Sequence, residues 1–203
     1  MANTDAAFGL KPLRHMNGSP WNGMTRRCLV EDNYGTALFI GDPVIVTGVV
    51  GSDDTTGVCP VVNRAEAGDT KRISGVITSI QPDPTALSRI YIPASTGGYV
   101  NVCMDPDVVF IVQDDAGATL TSAVISDNAV LATGTGSTVT GLSAFELAAA
   151  TTPASDASYQ LLILSVHDVP DNAVGANCIW EVLISNHTMR GGGAAADEGV
   201  LGI

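Results

Sequence analysis

The chain has 203 residues, 45% of them apolar and only 15% charged, with four cysteines and a formal net charge of −12. That is enough for one large all-β domain or two small ones, with a packed core that needs no disulfides. The acidic balance disfavours nucleic-acid binding, no apolar run nears the ~20 residues of a membrane-spanning helix, and residues 1–12 lack the apolar segment of a signal peptide, so secretion is not expected.

Residues 1–36 differ from the rest. They hold Gly9, Pro12, Gly18, Pro20 and Gly23, which break regular structure, yet Phe8, Leu10, Leu13, Met16 and Trp21 are spaced among them. Residues 1–27 carry Lys11, Arg14, Arg26 and Arg27 against Asp5 alone, while the remaining 176 carry five basic and twenty acidic groups. Apolar anchors interleaved with positive charge suit an extended N-terminal arm fastened to an acidic surface. Phe8, Leu10, Lys11, Leu13, Arg14, Trp21, Arg26 and Arg27 are its expected contact residues, and the arm is expected to add little to the fold.

The all-β body, residues 37–190, opens with Thr36 to Val50, two strands about Gly41-Asp42-Pro43, with Pro43 placed where a strand can begin without donating a ladder bond. A polar loop spans Gly51 to Gly57, and Lys71 to Ile80 alternates as a strand with a bulge expected at Gly75. A short strand is expected at Arg89 to Ile92, and two more at Tyr99 to Met104 and Val108 to Val112 about Asp105-Pro106-Asp107. Ala123 to Ala132 follows as a further strand. Ser143 to Ala150, SAFELAAA, has the capping-box pattern of one short helix, with Ser143 as cap and Glu146 three residues on.

The densest apolar stretch is Tyr159 to Arg190, expected to be a β-hairpin. Gln160 to Val166 suits a strand buried on both faces, while Trp180 to Asn186 alternates and places Trp180, Val182 and Ile184 in the core. Pro170, Asp171, Asn172, Gly175 and Asn177 supply the turn. With the turn near Ala173-Val174, His167 faces Trp180 and His187 faces Gln160. The two histidines then stand roughly 23 Å apart and cannot share a metal. Residues 191–203, Gly/Ala-rich, are expected to form a mobile tail. Strands about every ten residues with turns between them predict a β-sandwich or β-barrel body.

No stretch supports an enzyme. Cys28, Cys59, Cys103 and Cys178 share no short spacing, so reduced, core-filling thiols are expected rather than a zinc site. The acids at 53–54, 105–107, 114–115 and 168–171 are expected to be solvated turns, since the spaced ligands of a calcium loop are missing. Gly134-Thr135-Gly136 lacks the rest of a phosphate-binding fingerprint. No cofactor and no metal are expected.

The opening MANTDAAFGLKPLRHMNGSPWNG, then ALFIGDPVIVTG, GLSAFELA and DVPDNAVGANCIWEVLISNHTMR, resembles small structural proteins of tailed bacteriophages, the head decoration (cement) or virion structural proteins. The resemblance touches about half the chain and carries no active residues. It implies a β-rich protein made in the host cytoplasm that oligomerises, with a trimer favoured, on the outside of a capsid and binds the major capsid protein. Another virion part, such as a tail or head-completion protein, and a β-sandwich module for sugar or a cell surface are the competing readings.

Overall fold

A computed structural model of the chain describes residues 3–53, 57–151 and 153–190. The expected tail at 191–203 and part of the loop at 51–57 lie outside the described residues. The protein is nearly all-β. Its strands are β1 (Lys11–His15), β2 (Arg26–Val30), β3 (Pro43–Asp53), β4 (Gly57–Arg64), β5 (Gly75–Ile80), β6 (Gly98–Cys103), β7 (Val108–Gln113), β8 (Asn128–Ala129), β9 (Leu131–Ala132), β10 (Glu146–Leu147), β11 (Leu161–Val166) and β12 (Ile179–Ile184). The only helical element among the described residues is a 3₁₀ turn at Ser122–Val124.

Strands β2, β4, β3, β5 and β6 close into a barrel, and β1, β7, β12, β11 and β8 form a five-stranded sheet beside it. Closure leaves the barrel without free edges. Cys28, Val30, Val44, Val62, Ile77, Val100 and Val102, all buried, form the barrel's apolar cluster. A second cluster joins the sheet to the barrel: Phe110, Val112, Leu161, Ile163, Trp180, Val182 and Ile184 meet Ile73, Val76 and Cys103.

The expected hairpin is β11–β12, and Trp180, Val182 and Ile184 are in the core as expected, but the strand buried on both faces is β12 and the alternating one is β11. β12 lies between β7 and β11, so Trp180, Val182 and Ile184 are buried on one face and Glu181 and Leu183 on the other. β11 has only the two-residue β8 beyond it, and it alternates: Leu161 and Ile163 are buried while Leu162 and Leu164 are half-buried. A register shift between Ile163 and Ser165 sets Val166, not His167, opposite Trp180. Asn172 closes the turn by donating to the carbonyls of His167 and Ile179 and accepting from Ile179 N–H.

The expected helix at Ser143 to Ala150 is absent. Ser143, Phe145 and Leu147 are buried with Ala144 and Glu146 half-buried between them, a period of two. Glu146 and Leu147 pair with Ala132 and Leu131, and the Ser143 hydroxyl accepts from Phe145 N–H instead of capping a helix. Eight residues are too few to hold a helix without tertiary support, and the core takes Phe145 and Leu147 in extended form. Gly75 is not at a bulge; the shift lies between Ile77 and Ser79. Gly75 is small because a Cβ there would stand 2.4 Å from the Cys103 carbonyl oxygen. No strand forms at Arg89 to Ile92, where Ile92 makes a lone bridge to Leu38.

The N-terminal segment is extended, as expected, but it is built into the fold. Lys11–His15 is an edge strand on β7, and Arg26–Val30 is a barrel strand. Leu10 is 1% exposed in the joint core. Gly9 (φ +73°) crosses Gly41 (φ +96°) so closely that a Cβ on Gly9 would lie 2.5 Å from the Gly41 oxygen, and Leu10 N–H donates to that same oxygen. Gln113 clamps the approach, accepting from Ala6 N–H and donating to the Thr4 carbonyl.

Candidate functional site

The segment at 8–21 runs between the barrel and the sheet without filling the space, and a cleft of about 510 Å³ remains. Phe8, Leu10, Lys11, Pro12 and Trp21 form one wall. Ile40, Ile77, Thr78 and Leu142 come from the barrel side, and Ile111, His167, Val169 and Ile179 from the sheet side. The volume falls in the range of ligand and peptide pockets, and the lining is apolar except for a few polar groups. Lys11 and His167 are the titratable side chains among these residues, so the cleft's charge is positive where the chain as a whole is acidic. Lys11 is exposed and makes no ion pair among the described residues.

His167 is fixed from behind. Its Nδ1 donates to Glu181 Oε1 at 3.1 Å, and Ser165 Oγ donates to the other carboxylate oxygen at 3.1 Å. Arg14 forms an ion pair with the same carboxylate. Burial pushes the Glu181 carboxyl up, but the hydrogen bond from His167, the Arg14 charge and the Ser165 bond outweigh it and hold the group below its ordinary value. Serine and histidine both point at the glutamate, so the imidazole does not activate the hydroxyl. The arrangement orients a ring at the cleft wall; it is not a nucleophile relay.

The eight expected contact residues separate into three places. Phe8, Leu10, Lys11 and Trp21 share the cleft. Leu13 and Arg14 lie on β1, at the register shift that follows Pro12, with Leu13 half-buried and Arg14 committed to Glu181. Arg26 and Arg27 flank a second groove with Val46, Val49, Val50, Val58 and Cys59 on the β3–β4 hairpin. There Val49, Val50 and Val58 are 52%, 64% and 73% exposed on the strand pair. The Arg27 guanidinium sits 3.7 Å over the Tyr99 ring.

Sequence reasoning missed the cleft's other walls. His167, Ile111, Ile179, Ile40, Ile77 and Leu142 come from six separate segments, and each alone reads as an ordinary strand or turn residue. The acidic turns are also corrected in one respect. Asp105 does make a local turn, accepting from Asp107 N–H, but Asp114 is fully buried. It accepts from Asn177 N–H, Cys178 N–H and Trp180 Nε1 at 2.8, 3.0 and 2.9 Å, and so welds β7 to the hairpin.

The four cysteines are free, and burial pushes the Cys28 thiol up to about 12 and those of Cys103 and Cys178 up to about 11, far from reactive thiolates. Among the described residues no group of three His, Cys, Asp or Glu is placed to hold a metal ion, and no helix is long and apolar enough to cross a membrane. No known protein family, curated protein or solved structure matches this chain.

Proposed function

We propose that the protein is a structural component of a tailed-phage virion that decorates and reinforces the outer capsid surface as a homo-oligomer, a trimer being favoured, with the major capsid protein as its partner. One observation carries the reading. The stretch that resembles phage head proteins, residues 1–23, supplies Phe8, Leu10, Lys11, Pro12 and Trp21, and these residues line the apolar cleft between barrel and sheet. Residues of the resembling stretch and the wall of an open apolar cleft therefore coincide. The exposed valines beside Arg26 and Arg27 give a second surface of the same character, suited to a sister subunit.

The test is to mix purified protein with expanded, empty phage heads and image them. Saturable protrusions on the outer surface support the reading, and Phe8→Asp, which puts a charge on the cleft wall outside the main core, should abolish them while leaving far-UV circular dichroism unchanged. Heads that remain bare with wild-type protein refute it.

A further inference from the structure

The sheet wall of the cleft carries a polar arrangement that docking on a capsid does not require. Lys11 pairs with Ile111, and Ile111 pairs on its other side with Glu181, so the three stand in one row across β1, β7 and β12. Directly paired residues share a face of the sheet, and strands ~4.8 Å apart set the Lys11 and Glu181 backbones ~10 Å from each other with Ile111 between. His167 stands against Glu181, which takes its Nδ1, while Nε2 of the same ring has no partner among the described residues and the ring lines the cleft. We propose that the cleft binds an amphipathic monocarboxylate of the fatty-acid class, its carboxyl group between His167 Nε2 and the Lys11 ammonium and its chain against Trp21, Ile40 and Leu142. The inference goes beyond the virion reading and does not depend on it.

Charge selects the head group. No carboxylate lines the cleft among the described residues, and Lys11, exposed and outside the ion pairs, gives it a positive charge on an otherwise acidic protein. Glu181 lies behind the ring, but Arg14 pairs with it, so it does not oppose a second carboxyl group in front. The head group enters with one proton, shared between its oxygen and His167 Nε2, and Lys11 meets the negative charge. A purely apolar occupant would cover Nε2 and the ammonium without replacing the water they bind, which costs affinity. The cleft's volume, about 510 Å³, and its apolar lining suit a single acyl chain.

Trp21 reports occupancy, since the other tryptophan, Trp180, is fully buried in the joint core. Octanoate added to the full-length protein should shift Trp21 emission to the blue, saturably, with a Kd on the order of 100 µM. Octan-1-ol, which has the same chain and no carboxyl group, should bind at least about tenfold more weakly. Lys11→Glu and His167→Ala should each weaken octanoate by about fivefold or more and leave octanol within about twofold. In nitrogen NMR spectra of histidine-labelled protein, His167 Nε2 should move with octanoate and not with octanol, while His15 and His187 stay in place. Equal affinity for octanoate and octanol, or octanoate binding untouched in both variants, overturns the proposal. Tighter binding of a short peptide with apolar last residues and a free C-terminal carboxylate overturns the fatty-acid assignment and gives the site to a peptide terminus. None of these measurements involves phage heads, so their failure is separate from failure of the virion reading.

Discussion

Asp114 offers the sharpest perturbation of the fold. Its carboxylate, 0% exposed, accepts four N–H groups: those of Ala116, Asn177 and Cys178 from the backbone and Nε1 of Trp180. Asp114→Ala removes the acceptor while the Cys178 amide and the Trp180 indole stay buried, and each stranded donor costs ~1–3 kcal/mol. The expected loss is ~4 kcal/mol, against the ~5–15 kcal/mol that holds a typical domain together. Asp114→Asn keeps the shape but turns an amide NH₂ toward one donor, for ~2 kcal/mol. Trp180→Phe removes one donor and some volume, also for ~2 kcal/mol. Because the two side chains share one bond, the double variant should cost less than the sum by on the order of 1 kcal/mol. Denaturant midpoints at unchanged m give these values. Trp180→Ala, at ~3–5 kcal/mol, sets the scale for a buried ring, and His167→Ala, which leaves Glu181 with Arg14 and Ser165, should stay near ~1 kcal/mol. A cost under ~1 kcal/mol for Asp114→Ala, or strict additivity in the double variant, would refute the account of Asp114 as the clamp between β7 and the hairpin.

Two buried titratable groups should oppose each other in acid. Burial raises Asp42 from 3.8 to about 6, so its contribution is present below the ordinary value and lost as pH rises through 6, while burial lowers His187 from 6.5 to about 4, so its contribution is present above 6.5 and lost as pH falls through 4. Each amounts to about 3 kcal/mol, so between pH 6.5 and 4, measured relative to the wild type, Asp42→Asn should lose stability with acid and His187→Gln should gain it; profiles parallel to the wild type for both variants would show that neither group is coupled to folding. Deleting residues 1–27 should unfold the protein, since it removes β1, Leu10 and the first two residues of β2; a normal cooperative melt would show the segment to be an appendage after all.

The all-β class and the positions of most strands were legible because they rest on local chemistry: β-branched runs such as Val108 to Val112, Pro43 at a strand start, and Asn172 and Gly175 in a turn. What was not legible is burial on the second face of a strand, which depends on neighbours the sequence does not name. β12 has an alternating pattern yet sits between two partners, so Glu181 is 8% exposed and survives there because Arg14, from the other end of the chain, meets it. β11 is apolar nearly throughout yet borders only a two-residue strand. Asp114 shows the same limit from the polar side, since a turn rule assigns an Asp-Asp-Ala-Gly stretch to solvent and cannot know that three donors of a hairpin 63 to 66 positions away converge on it.

The N-terminal segment was misjudged for a different reason, and the same reason bears on function. Gly9, Gly18 and Pro20 were counted as breakers, which they are, but each stands where the fold requires that conformation. Gly9 passes within contact of Gly41, Gly18 (φ +86°) turns the chain after β1, and Pro20 makes a bridge to Arg14. A segment held by backbone crossings and one short edge strand buries fewer of its side chains than a central strand does. Leu10 goes fully inside, whereas Phe8, Leu13 and Trp21 stay half-buried, and two of those three line the cleft. The residues left partly uncovered by the need to thread between barrel and sheet are thus the ones available to a partner, and the irregularity that hides the segment's place in the fold is also what opens the surface beside it.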